Sequence, residues 1–369
     1  MGAPERVLVA YPFLPHYRRA VFVELDQLQT LSVEFAADAV GQEGIQPMRL
    51  DELKRVQSAP SRRIARVQWQ PRVIALVSRT DASTVIFLGE AANLSYWIAA
   101  VIARMRGLRV YFWTIGWHRP ERGPKRLVRL AFYRLAHGLL LYGTRAREIG
   151  VGAGYPSSRM HVIGNSMEPR FGGDTPPGLP DRVDGVAWVG AVIRLTPSKR
   201  LEMIFDAVAE IRSRGADVRV LIVGDGAAAT ALQSASERLS VPYVHLPGVY
   251  LRNELAAVYS VLDVTVVPSA VGLTAVQSMQ FGVPVVSDDD ADSQMPEWES
   301  IRAGQTGELY AAGSVISLVD AIERALARVR LDRAAVRETC IAEYSERWSP
   351  ERQAKRIEEV ILRSQASSE

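Results

Sequence analysis

Cysteine is almost absent from this chain: 369 residues contain one, Cys340, so no internal disulfide can form. There is also no uninterrupted apolar run long enough to cross a bilayer. The first residues, MGAPERVLVAYPF, turn acidic and then strand-like, where a secretory signal would place a basic segment, an apolar stretch and a cleavage site. These absences point to the cytosol and exclude a disulfide-stapled secreted scaffold. Internal repeats are missing, as are nucleic-acid reader motifs and interleaved aromatic platforms, so nucleic acid is not an expected partner.

What is present is a folded chain, 48% hydrophobic and 23% charged. Its length exceeds what one core usually carries, which predicts two domains with a ligand cleft between them. The net charge of +3 hides an asymmetry. Residues 1–170 hold 24 Lys+Arg against 13 Asp+Glu, or +11, whereas residues 171–369 hold 20 against 28, or −8. The basic half suits an anionic contact such as a membrane surface or an acidic or phosphorylated acceptor; a merely solvated Arg-rich surface fits as well.

Short apolar runs of the buried parallel type stand at Arg6–Tyr11, Val85–Gly89 and Arg109–Thr114, with helical stretches between them. This alternation predicts a doubly wound sheet. A Gly- and Pro-rich stretch marks a linker at 171–185. The rhythm then restarts, with strands at Val186–Val189, Val218–Val223, near 243 and 264, and at Gly282–Ser287, and with a helix from about Lys199. A charged amphipathic pattern over Ser349–Ser364 predicts a terminal helix.

Val223–Ala229 (VGDGAAA) follows a strand and precedes a helix, as a dinucleotide fingerprint does. That fingerprint wants an acidic residue for the ribose at the end of the next strand, but Val244–Gly248 (VHLPG) supplies none there. The glycines therefore read as a tight turn letting backbone approach a ligand or a neighbouring strand. Asp288, Asp289, Asp290 and Asp292 have metal-site composition but are expected to point outward.

Three further segments carry a family resemblance. Val189–Arg200 (VGAVIRLTPSKR) resembles a Gly-Arg-Leu followed by a Pro-x-Lys turn. Pro268–Val286 (PSAVGLTAVQSMQFGVPVV) resembles a strand, glycine loop and helix, and Gln294–Leu309 (QMPEWESIRAGQTGEL) a Pro-Glu…Gly-x-Thr-Gly stretch. In this order they are similar to the family 4-like (group 1) glycosyltransferases of the GT-B fold. Val162–Glu168 (VIGNSME) and Tyr344–Trp348 (YSERW) add to the likeness; over residues 1–160 it rests only on Tyr11–Arg19 and Trp113–Trp117. The resemblance implies an α/β chain of two Rossmann-like domains facing a cleft. An acceptor domain would span 1–170, the linker 171–185 and a nucleotide-sugar domain 186–345. A helix within 346–369 would cross back onto the first domain.

The implied reaction is retaining transfer from a UDP- or GDP-sugar, with no metal required, to a glycan, lipid-linked or small-molecule acceptor. Its setting would be surface polysaccharide, glycolipid or natural-product assembly, in the cytoplasm or at the inner face of the membrane. Arg194 and Lys199 would stabilise charge growing on the leaving diphosphate, and the N–H groups of Gly272, Leu273 and Thr274 would add a helix dipole. Gly190, Gly224, Gly226, Val249, Ser269 and Gln277 complete the donor contacts. His118 is the catalytic candidate of the first domain, and His16, Tyr17, Arg18, Gly116 and Trp117 the acceptor contacts.

The sequence also departs from the family pattern. Ser269 and Gln277 stand where two glutamates are usual, and Ile115 where a histidine is, with His118 three residues on. A catalytically degenerate relative that binds a nucleotide sugar or a partner enzyme is therefore the alternative. Lys125, Arg126 and Arg129 fall on one face of a helix within Arg119–Arg147, and that face suits either anionic lipid or plain solvation.

Overall fold

Glu5–Phe13 (β1) is buried along nearly its whole length, as a strand covered on both faces must be. It lies inside a seven-stranded parallel sheet of the computed structural model, which describes residues 3–42, 44–168, 174–248 and 252–366. The chain divides into two compact units, Met1–Glu168 with Ser349–Glu369, and Pro169–Trp348.

In the first unit β1 is followed by α1 (Arg19–Gln27), β2 (Leu31–Asp38), β3 (Val56–Ser58) and a hairpin of β4 (Arg62–Ile64) and β5 (Val67–Trp69). Then come α2 (Pro71–Arg79), β6 (Thr84–Leu88), α3 (Leu94–Met105), β7 (Arg109–Thr114), α4 (Gly123–Tyr133), β8 (Gly138–Leu141), α5 (Thr144–Gly152) and β9 (Met160–Val162). The strand order is β3-β2-β1-β6-β7-β8-β9. Alternation along β1 sends Leu8 and Ala10 into one core with α2, α3 and α4, and Val7, Val9 and Tyr11 into the other with α1.

The second unit begins its sheet at β10 (Ala187–Val192), followed by α6 (Glu202–Ser213), β11 (Val218–Val223), α7 (Ala229–Leu239), β12 (Tyr243–Leu246) and α8 (Arg252–Val261). β13 (Val264–Val267), α9 (Leu273–Gln280), β14 (Val285–Asp288), β15 (Gly307–Tyr310), α10 (Val315–Leu331) and α11 (Arg333–Glu343) complete it. The order β12-β11-β10-β13-β14-β15 is again parallel and doubly wound, with its switch point between β10 and β13. β14 starts three residues after the Gly282 of the sequence reading, because Gly282 is left-handed at φ +76° and Pro284 has no N–H for a ladder. α6 starts later than Lys199 because Arg200 is left-handed at φ +50°.

Tyr344–Trp348 forms a π-helical turn, and the C-terminal helix spans Pro350–Ala366. Ala354, Ile357 and Ile361 of that helix are buried with Val21, Phe22 and Leu25 of α1 in the first unit. Gln353 fixes it: its amide donates to the Gly164 carbonyl at 2.6 Å and accepts from the Ser166 hydroxyl at 2.6 Å.

Candidate functional site

In the second unit the chain leaves β10 at the switch point, where ligands of such sheets bind beyond the strand ends. The Ile193–Leu201 loop is held by main-chain bonds: Leu195 N–H donates to Asp225 O at 2.8 Å, and Ala228 N–H to Leu195 O at 3.0 Å. This close approach explains the glycines. A Cβ on Gly224 would lie 2.0 Å from Ile193 O, one on Gly226 2.1 Å from Leu195 O, and one on Gly190, inside β10, 1.7 Å from Leu221 O. Of the two readings of VGDG, the structure supplies approach to neighbouring backbone. The missing side chains of these three glycines thus make room for the chain itself.

Arg194 and Lys199 differ in state. Arg194 is exposed, and among the described residues its guanidinium has no partner. Lys199 is half-buried, and its ammonium donates to the Ala270 carbonyl in the loop after β13. Burial lowers its pKa from the ordinary lysine value. Ser269 ties the same loops together, donating to Ser198 O at 2.8 Å.

That second loop opens α9 at Gly272, and no side chain caps the helix there. Its first N–H groups thus lack the acceptor that a capping residue would supply. Two side chains that the sequence reading missed shape this end. Gln294, buried, accepts from Val271 N–H at 2.7 Å and donates to Asp288 Oδ1 at 2.7 Å. Glu297, also buried, places Oε2 within 3.8 Å of a Cβ position on Gly272. The Pro-Glu pattern was visible in sequence, but only the fold brings it to the α9 N-terminus. Leu273 and Thr274 are half-buried in the first turn. One turn on, Gln277 is 7% exposed and its amide has no hydrogen bond among the described residues. Val249 lies outside those residues.

Of the acidic run, Asp289, Asp290 and Asp292 are exposed as expected. Asp288 instead points inward, and burial raises its pKa above the usual aspartate value. Among the described residues no group of His, Cys, Asp and Glu side chains is placed to hold a metal ion.

In the first unit, His16 is exposed with Nδ1 3.1 Å from Gln46 O, and Tyr17 is half-buried. Arg18 is only 9% exposed, its guanidinium 4.6 Å from the Tyr142 ring centre. Gly116 and Trp117 are corrected from acceptor contacts to core. Gly116 is left-handed at φ +73° and its carbonyl accepts from Arg129 at 2.9 Å; Trp117, 1% exposed, packs edge-on to Tyr133 at 5.1 Å. His118 is half-buried beyond β7.

The basic face on α4 is largely engaged by neighbours within the first unit. Arg129 is taken up by both oxygens of Glu121, at 2.7 and 2.8 Å, and Arg126 by the Ala153 carbonyl at 2.9 Å. Lys125 pairs with Glu121 at 3.1 Å. Leu127 on the same helix is 65% exposed. Among the described residues no helix is long and apolar enough to cross a membrane.

With this geometry in place, the chain can be set beside known proteins. Residues 185–328 match the family model of the glycosyl transferases group 1. A glycogen synthase of Francisella philomiragia is 33% identical over 161 residues, 41% of this chain and 32% of that protein; the chain thus spans about a third of the length of the curated relatives it matches. Among solved structures, the lipopolysaccharide outer core galactosyltransferase WaaB, in its apo form, aligns with a TM-score of 0.69 at 15% identity, over 97% of this chain and 99% of its own. HepE of Anabaena, solved in complex with UDP, aligns with a TM-score of 0.69 at 16% identity over the same shares, 97% and 99%. At such identities the likeness is one of fold, and the fold is GT-B.

Proposed function

From the match of residues 185–328 to the glycosyl transferases group 1 and from the GT-B fold, we propose that this protein is a glycosyltransferase that moves a sugar from a UDP- or GDP-linked donor bound by its second unit. The observation that carries this reading is the meeting of Lys199 with the loop that opens α9, an uncapped helix N-terminus beyond the strand ends. A diphosphate there would accept from the free N–H groups and face the unpartnered Arg194.

As the anomeric C–O bond to the diphosphate breaks, charge accumulates on the departing oxygen, and these donors stabilise that state more than the ground state. On the retaining route, the acceptor oxygen bonds to the anomeric carbon on the face the diphosphate leaves, and its proton passes to a phosphate oxygen. The departing charge is met by Arg194, Lys199 and the helix, so a metal is not needed for this step. Gln277 would hydrogen-bond the ribose. Assembly of a surface glycan, a glycolipid or a glycosylated natural product is the setting this chemistry serves.

A thermal-shift series with UDP, GDP, ADP and their sugars tests the proposal, because a ligand that binds only the folded state raises its stability. One nucleotide diphosphate should raise the melting temperature and its sugar should be consumed. Silence across the series would refute the reading. Gln277, neutral where the family resemblance leads one to expect a carboxylate, favours a second reading, a donor-binding relative without turnover. Binding without donor consumption under any acceptor would select it.

A further inference from the structure

The first unit holds a buried cation with no counter-charge. Arg18 ends a 3-10 turn, His16–Arg18, that Pro15 opens by accepting the Arg18 N–H at 3.0 Å. The turn drives its guanidinium among aromatic rings, 4.6 Å from the centre of Tyr142, 5.8 Å from Trp113 and 5.9 Å from Tyr17. No ion pair involves Arg18 among the described residues, and its Nη1 is shut off from water without an acceptor. The hydroxyl of Tyr11, 2% exposed, is likewise buried with no partner. Burial pushes the Tyr11 phenol well above its ordinary pKa, so it stays neutral and cannot balance the guanidinium.

Both residues line one pocket of 160 Å³, with Tyr17, Gln42, Arg63 and Gln68 among its other walls. That is an order of magnitude beyond the roughly 10–15 Å³ a single water needs. Among the described residues one carboxylate, the exposed Glu90, also lines it, beside Arg18 and Arg63. Aromatic faces account for part of the arginine's stabilisation, but a desolvated guanidinium in the wall of the pocket, without an ion pair among the described residues, still calls for an anion with several acceptor oxygens.

We propose that this pocket is an anion subsite of the first unit, taking a phosphate group carried by the acceptor. That the phosphate belongs to an acceptor rests on the transferase reading; the anion site itself does not. The hairpin beside the pocket bears on the source. Strand alternation turns Arg63 and Gln68 of β4 and β5 toward the pocket and puts Arg62, Ile64, Val67 and Trp69 on the opposite face. There Ile64 is 72%, Val67 41% and Trp69 36% exposed, with Arg62 and Arg66 exposed around them. An apolar, basic hairpin of this kind suits a lipid surface, so a phosphate borne by a lipid is the favoured source over a soluble sugar phosphate.

The experiment follows the melting of the full chain with inorganic phosphate against chloride at equal ionic strength. The unaltered protein should rise by about 5 °C or more at phosphate a hundredfold above its dissociation constant. Arg18→Gln removes the cation, and Ile45→Trp fills the pocket from its half-buried wall while leaving Arg18 in place. Both should lose the response, whereas Met105→Ala, an exposed change in the same unit away from the pocket, should keep it. Should Arg18→Gln fail to fold, Ile45→Trp alone decides. No phosphate response in the unaltered protein, or a response that survives in both Arg18→Gln and Ile45→Trp, overturns the proposal. A nucleotide series in the same assay separates the two readings: loss of nucleotide binding with the phosphate response intact removes the transferase and leaves the subsite. For the source, vesicles of phosphatidic acid in phosphatidylcholine should sediment the unaltered protein but not Trp69→Asp. A phosphate response with no vesicle binding supports the subsite and assigns it to a soluble phosphate.

Discussion

Replacing Lys199 by methionine keeps the length of the side chain and removes its charge. If the ammonium only staples the loop after β10 to Ala270 O, the substitution loses one charge-assisted bond of about 1.5–3 kcal/mol. Removing a half-buried ammonium also relieves the desolvation that lowers its pKa, so the net loss of stability should be about 1 kcal/mol, or roughly 2–4 °C of melting temperature for a domain of some 150–250 residues. If Lys199 also meets the departing diphosphate, turnover should fall roughly 100- to 1000-fold, the scale of losing one donor to a developing oxyanion.

The two effects differ enough to be separated by measuring donor consumption per folded molecule below the melting transition. The pH profile adds a signature. Lys199 acts as a cation and its pKa is lowered, so activity should fall as pH rises through that pKa, starting below the ordinary lysine range; Lys199→Arg should move that limb upward, since guanidinium stays charged. A variant that melts a few degrees lower but consumes donor at the parental rate would show Lys199 to be a staple alone.

Gln277→Ala should raise KM for the donor more than it lowers kcat, the mark of binding energy shared by ground and transition states, while Gln277→Glu, whose charge strengthens a ribose bond by about 1 kcal/mol, should lower KM roughly fivefold; steady-state kinetics on both checks the assignment. Gly226→Ala sets a Cβ 2.1 Å from Leu195 O at φ +152°, so denaturant unfolding should show a loss of about 3 kcal/mol, the upper end for overpacking. Gln353→Ala leaves Ser166 and the Gly164 carbonyl buried without their partner and should cost about 2–4 kcal/mol, seen as early hydrogen exchange in the C-terminal helix and α1.

Much of this was legible from the chain. Arg109–Thr114 and Val218–Val223 are strands with the bounds the sequence suggested, because a continuous apolar run covered on both faces leaves little freedom of assignment. The hairpin β4–β5 was not legible: Arg62–Ile64 holds no apolar run, and its pairing with Val67–Trp69 depends on a left-handed Ala65 at φ +54°. In the candidate site, Arg194 and Lys199 were singled out by the family resemblance around a Pro-x-Lys turn, a local pattern. Gln294 and Glu297 were not, since their meeting with Gly272 is set by packing across more than twenty residues. Trp117 misled for the same reason, as a loop aromatic is indistinguishable in sequence from a core one until Tyr133 and Tyr155 are seen around it.

The C-terminal helix gives the first unit a consequence in time. That unit is assembled from two stretches, Met1–Glu168 and Ser349–Glu369, with the whole second unit threaded between them in the chain. During synthesis the face of α1 that receives Ala354, Ile357 and Ile361 must wait for the intervening residues, roughly 10–40 s at about 5–20 residues per second. Val21, Phe22 and Leu25 are uncovered for that interval, and the second unit, contiguous in sequence, can complete its core first. The half that begins the chain is therefore the half that closes last.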